Sequence, residues 1–154
     1  MTAIAHTEAP TGAFLVSGAD VVHAARSFIG CRYRHQGRSR EGVDCIGLPV
    51  LVRAELGLAA LDVEGYARRT TDSEMLNFCR SHMHEVRRDQ MQPGDLLVCM
   101  HGVTRHMAIV GDYPGGGLSI IHAHLPNKKV VECRLDEVFM KIVRGCFRFP
   151  EVTA

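Results

Sequence analysis

The stretch Gly42-Val43-Asp44-Cys45-Ile46-Gly47-Leu48-Pro49-Val50-Leu51-Val52-Arg53-Ala54-Glu55-Leu56 brings a cysteine into the chain at what reads as a helix start. Glu41-Gly42 is loop, Asp44 is a favoured N-cap residue, and Leu48, Leu51, Val52 and Leu56 recur at helical spacing until Gly57 stops the run. Cys45 therefore falls in the first turn. There the unpaired backbone N–H groups and the macrodipole favour an anion, so the thiol is expected to ionise more easily than a free one. Pro49 is welcome at the first helical position and costly further in, so the regular helix is expected to begin a residue or two after Cys45. On residue type alone a cysteine is more often a compact buried hydrophobe than a nucleophile. A nucleophile needs a base beside it, and the rest of the chain must supply one.

Upstream, Ser17-x-x-Asp20 opens a helix in capping-box style, with Val21, Val22, Ala25, Phe28 and Ile29 on its buried face until Gly30 ends it. Residues 1–18 before it read as a lead-in, with loop signals at Pro10 and Gly12 and a short strand at Ala13-Phe14-Leu15-Val16; residues 19–150 read as a single domain. The connection Cys31 to Gly42 is basic and polar, either a solvated loop or a wall for an acidic ligand, and Arg34, Arg38 and Arg40 are the residues there that would seat a carboxylate.

Downstream, Leu58 to Thr71 is irregular. Asp72 or Thr71 then caps a third amphipathic helix with Met75, Leu76, Cys79, Met83 and Val86 on one face. His82 and His84 are two apart and share no helix face, so they read as solvated residues rather than ligands. After the turn Gln92-Pro93-Gly94-Asp95 the period changes. Short apolar runs at Leu96 to Met100, His106 to Val110, Leu118 to Ala123, Lys129 to Cys133 and Val143 to Phe149 read as strands, with a short helix at Leu135 to Lys141. Helices first and a meander second predict an α+β fold, with the helices packed on an antiparallel sheet of about five strands.

Composition narrows the function classes. A chain of 154 residues with a formal net charge of +1 has no basic excess to argue for nucleic acid or an anionic membrane. No stretch approaches the roughly 20 apolar residues of a membrane span. Cys31, Cys45, Cys79, Cys99, Cys133 and Cys146 contain no C-x-x-C pair, so no zinc framework is expected and neither metal nor cofactor is implied. No signal peptide is legible at the N-terminus, which points to synthesis in a reducing cytoplasm with free thiols.

Two histidines are placed to serve Cys45. His106 begins the run His106-Met107-Ala108-Ile109-Val110, where its ring can sit at a sheet edge facing a helix start, and His122 ends Leu118-Ser119-Ile120-Ile121-His122. A hairpin through Tyr113-Pro114-Gly115-Gly116-Gly117 makes them cross-strand neighbours, close enough for one imidazole to orient the other. Asp44-Cys45-x-Gly47-Leu48, Pro93-Gly94-Asp95-Leu96-Leu97, His106-x-Ala108-Ile109 and Ile121-His122-Ala123, in that order, resemble the NlpC-type cysteine peptidases of bacterial cell walls. The likeness runs from about Val21 to Pro150. The Glu41-to-Cys45 approach and the closing Val143-to-Pro150 strand resemble the phage-encoded branch most.

The resemblance implies a papain-like fold and hydrolysis of peptidoglycan stem peptides, typically between γ-D-glutamate and diaminopimelate or lysine. It implies Cys45 as nucleophile, His106 as general base and then acid, His122 as the residue that orients His106, and Tyr33 as a hydroxyl that helps hold the oxyanion. Asp44 is a candidate contact for substrate. The expected partners are stem peptides and, for a phage enzyme carried to the wall with its particle, tail proteins. Three positions depart from the family pattern: Ile46 where serine is usual, Gln36-Gly37 where a glycine pair is common, and Pro49 where valine is more common. Two other classes fit the same residues: a tail-assembly or binding protein with dispensable chemistry, and a thiol amidase or acyltransferase. Lipid-directed relatives tend to present histidine before cysteine, so the order here favours the peptidase.

Overall fold

The computed structural model describes residues 2–5, 15–67 and 73–153. Strand β1 (Thr2–Ala5) is followed by helix α1 (Gly18–Arg26), the short strands β2 (Arg38–Ser39) and β3 (Gly42–Val43), helix α2 (Gly47–Glu55) and strand β4 (Leu61–Glu64). Helix α3 (Ser73–His82) and a two-residue strand β5 (His84–Glu85) lead into β6 (Leu96–His101), β7 (Thr104–Asp112), β8 (Leu118–His124) and β9 (Lys129–Arg134). A one-turn helix α4 (Glu137–Met140) and β10 (Val143–Arg148) complete the order. The main sheet has six strands in the order β5-β10-β6-β7-β8-β9, all antiparallel. The five expected strands are all present, and the sixth is β5, too short to carry a period.

Side chains alternate across this sheet with period two, and each face has its own core. Leu96, Val98, Met107, Ile109, Ile121 and Phe147 pack with Val21, Val22 and Ala25 of α1 and Leu48 and Val52 of α2. Leu97, Cys99, Ala108, Val110, Ile120 and Cys146 pack on the other face, against Phe139 and Met140 of α4.

Local chemistry explains most of the elements. Ser17 and Asp20 form the expected capping box at α1, each side chain accepting the other's backbone N–H. Ile29, expected on the buried face, is 44% exposed, because α1 ends at Arg26 and Ile29 lies in the turn beyond it. Val86, expected on the α3 face, lies past that helix and joins the α4-side core instead. The predicted caps Thr71 and Asp72, and Ala13 and Phe14 of the predicted short strand, lie outside the described residues. Thr2–Ala5, read as part of a loose lead-in, runs antiparallel to Leu61–Glu64, read as irregular, and Val16, the end of the expected short strand, makes a single parallel bridge to Val152. These pairings join positions far apart in the chain, where local pattern carries no signal.

The turn before β6 is fixed by a buried carboxylate. Asp95 is fully buried, accepts the Gln92 N–H at 2.9 Å, and is held by Arg148 from β10 at 2.8 and 3.0 Å. Gly94, in the left-handed region at φ 97°, abuts Gly18; a Cβ on Gly94 would lie 2.6 Å from the Gly18 Cα.

Candidate functional site

Asp44 builds the start of α2. Its Oδ1 accepts the N–H groups of Ile46 at 3.2 Å and Gly47 at 2.8 Å, an N-cap in hydrogen-bond terms, and Leu48 N–H reaches the Asp44 carbonyl at 3.0 Å. Cys45 is thus the first residue of the opening turn. Pro49 supplies no N–H to the Cys45 carbonyl, and the regular helix is counted from Gly47, two residues after the cysteine. Asp44 Oδ2 accepts from Gln36 N–H and from the Tyr66 hydroxyl, both at 2.7 Å, and Arg38 Nη1 lies 3.2 Å from Oδ1. Five donors therefore surround a carboxylate that is 2% exposed, so Asp44 serves as a brace for the cysteine turn, with its lone pairs already spent before any substrate arrives.

The ladder between β7 and β8 runs only from Asp112↔Leu118 to Ile109↔Ile121. Beyond Ile109 the two strands part, and the start of α2 sits at the opening. The Met107 N–H on that side of β7 is turned toward the Cys45 sulfur and favours its charged form. Cys45, His106, Tyr33, Asp44, Tyr66 and Arg105 all line one open-sided cleft of about 440 Å³.

His106 and His122 share the α4 face of the sheet with Ala108 and Ile120, and both rings stand edge-on to Phe139. His106 Nε2 lies 2.6 Å from His122 Nδ1. His106 thereby spends Nε2, and Nδ1 is the nitrogen it has left to offer a thiol. His122 Nε2 in turn lies 3.7 Å from the Cys133 sulfur, and its ring stacks on His124 at 4.8 Å. If His106 is to accept at Nδ1 it must carry its proton on Nε2, which sets His122 to carry its own on Nε2 toward Cys133. Cys133 is a member of this relay that reading in sequence missed, since its spacing to His122 has meaning only once β8 and β9 pair with His122 opposite Val131.

The expected easy ionisation of Cys45 is overturned. Burial pushes the thiol up, to about 11, with the neighbouring Asp44 carboxylate adding to the rise; the Met107 N–H and the Arg105 charge offset only part of it. Helix position alone did not reveal that Cys45 is nine-tenths buried beside an acid. Burial also lowers both imidazoles, His106 to about 4 and His122 to about 3, with neighbouring imidazoles lowering them further. At neutral pH the resting pair is a neutral thiol and a neutral imidazole.

The arginines of the basic loop do not line the cleft as expected. Arg38 grips Asp62 at 3.0 Å as well as Asp44, and Arg40 pairs with Glu55 and lies over the Phe28 ring at 4.0 Å. Arg34 is exposed, and its methylenes cover Gly42. Arg105 faces the cleft instead. The expected strand begins at His106, whereas β7 begins at Thr104, and that extension carries Arg105 into the wall. Ile46, in the usual serine position, is 3% exposed and packs in the helix-side core. Gln36 adopts φ 59° in place of a glycine, anchored by its own N–H on Asp44, while Gly37 stands where a Cβ would fall 2.3 Å from the Gly42 carbonyl oxygen.

Comparison with known proteins gives one family. The model described as NlpC/P60 family matches residues 30–145. Among solved structures, the chain is similar to the NlpC/p60 domain of the peptidoglycan hydrolase SagA, with 27% identity and TM-score 0.62 over 87% of this chain and 100% of that one. An NlpC/P60 family protein from Bacillus cereus is 21% identical with TM-score 0.64, covering 88% of this chain, which spans only 41% of that protein's length. The peptidoglycan hydrolase RipB from Mycobacterium tuberculosis is 21% identical with TM-score 0.56, over 93% of this chain and 73% of that one. No curated protein matches the sequence.

Proposed function

The chain belongs to the NlpC/P60 family, and on that premise we propose that it is a cysteine peptidase that hydrolyses peptidoglycan stem peptides between γ-D-glutamate and diaminopimelate or lysine. One observation carries the reading: a cysteine at a braced helix start and an imidazole relay with a 2.6 Å internal contact open onto the same cleft. Phage or prophage origin, with delivery to the wall on a tail or particle, extends the proposal and rests on the Glu41-to-Cys45 and Val143-to-Pro150 likeness alone.

Catalysis begins from the neutral pair. His106 Nδ1 takes the thiol proton as the sulfur attacks the stem-peptide carbonyl, so general-base assistance replaces a standing thiolate. Charge develops on the carbonyl oxygen and is received by the Cys45 N–H and the Tyr33 hydroxyl. The imidazolium, steadied by His122, gives its proton to the leaving amine, and water then clears the thioester with His106 again as base. Asp44 acts through the turn it holds and is a positioning residue. Ile46 offers no hydrogen bond to the amino end of a stem, so the site reads the scissile region more than a free N-terminus.

A second reading, a tail-assembly or binding protein on the same fold, is favoured by the high ionisation threshold of the buried thiol. Mass spectrometry of defined muropeptides separates the two. Wild type is expected to release fragments ending at γ-D-glutamate and Cys45→Ala none; intact muropeptides across several stem types with wild type overturn the peptidase.

A further inference from the structure

Arg105 is 5% exposed, yet among the described residues only one of its three guanidinium nitrogens has a partner. Nη2 donates to the Ala67 carbonyl at 3.0 Å, and the group lies over the Tyr66 ring at 5.4 Å, so it is held in place. Nε and Nη1 are buried and donate to nothing among those residues. A guanidinium cannot shed its charge at any working pH, and a buried donor left unmade costs free energy. Such a group is matched to an anion arriving from outside. The cleft's own carboxylate does not serve, since Asp44 is spent on its five donors.

The direction of Arg105 says which part of a substrate it meets. Successive side chains leave a strand on opposite faces, so Arg105 and His106 project to opposite sides of β7 at the point where it parts from β8. His106, as general acid, faces the leaving amine. Arg105 lies on the other side, toward the acyl portion.

We propose that Arg105 is a specificity-determining residue that grips a free carboxylate on the acyl side of the scissile bond, as carried by a glutamyl residue linked through its γ-carbonyl with its α-carboxylate unblocked. This rests on the peptidase reading of the same cleft. An α-amide in that place leaves the guanidinium unneutralised, and a site built around a charged hydrogen bond rejects the analogue that lacks it.

Two measurements test it. The first compares kcat/KM for stem peptides identical except for a free or amidated glutamyl α-carboxyl. Wild type is expected to favour the acid by about tenfold or more, Arg105→Gln to lose that preference by losing the acid substrate, and Arg105→Lys to restore part of it. Equal cleavage of the two peptides by wild type, or a preference that survives in Arg105→Gln, overturns the assignment. The second needs no hydrolysis: Cys45 is alkylated with iodoacetate and with iodoacetamide, and labelling at Cys45 is followed by peptide mapping in protein whose thermal melt is unchanged. The iodoacetate-to-iodoacetamide rate ratio is expected to be several-fold higher in wild type than in Arg105→Gln. If no peptide is cut, the peptidase reading falls while this ratio still decides the anion site; an identical ratio in the two proteins overturns that site.

Discussion

Arg53 and Arg105 are both almost wholly buried, at 2% and 5% exposure, and they are opposites in what surrounds them. Arg53 spends every nitrogen: Nε on the Ala59 carbonyl at 2.9 Å, Nη1 and Nη2 on the two oxygens of Glu151 at 2.9 and 2.8 Å, with the Phe149 ring 4.9 Å away. It fastens α2 to the C-terminal segment. Arg105 makes one bond to a carbonyl and meets no carboxylate among the described residues. Burial by itself therefore does not distinguish a structural cation from one poised for a ligand; the inventory of partners does.

The largest effect is expected from turning Arg53 into a residue like Arg105. Glu151→Ala leaves the Arg53 charge buried and uncompensated, which should cost about 3 kcal/mol and lower Tm by roughly 6–12 °C. A melt within a degree of wild type would erase the contrast. Arg53→Met strands Glu151 instead, whose side chain is 22% exposed and can turn to water, so the loss should be smaller, about 2 kcal/mol by urea titration.

Acid should unfasten one arginine and not the other. Burial pushes the Glu151 carboxyl up, but the hydrogen bonds and charge of Arg53 outweigh that and hold it below its ordinary value. A lowered folded-state pKa gives stability that is present above the unfolded carboxylate's pKa and is lost as pH falls through the folded one. The Tm gap between wild type and Arg53→Met should therefore close below about pH 4. A gap that stays constant from pH 7 to pH 3 would contradict the pairing.

Arg105→Met should leave stability within about 1 kcal/mol of wild type, or raise it, because it removes a charge with two unmet donors. The smallest effect is on the thiol. The Arg105 charge favours the Cys45 thiolate, so Arg105→Met should move the midpoint of the alkylation rate to higher pH than in wild type, whereas Arg53→Met should not move it. A midpoint well below that of an ordinary thiol in wild type would restore the easy ionisation that burial argues against.

The fold was legible wherever the signal was local. The Ser17 and Asp20 box, the change to period two after Gln92-Pro93-Gly94-Asp95, and the glycine hairpin at 113–117 place α1 and the five long strands from spacing alone. Pairings such as Thr2–Ala5 with Leu61–Glu64 were not legible, since β-pairing between distant segments leaves no periodic mark on either. In the site, Cys45, His106 and His122 were nameable from the sequence, but Arg38, expected to seat a carboxylate, is tied to Asp62 and Asp44, and Arg105 stands in the cleft instead.

The sequence by itself determined the kinds of elements, their order, and the succession of one cysteine and two histidines along them, because helix starts and strand alternation are written in neighbouring residues. Only the tertiary structure decided how deep the sulfur lies, where β7 and β8 part, and which arginine is left with hydrogens to give. Those properties depend on desolvation and on charges brought from remote positions, which no run of adjacent residues encodes.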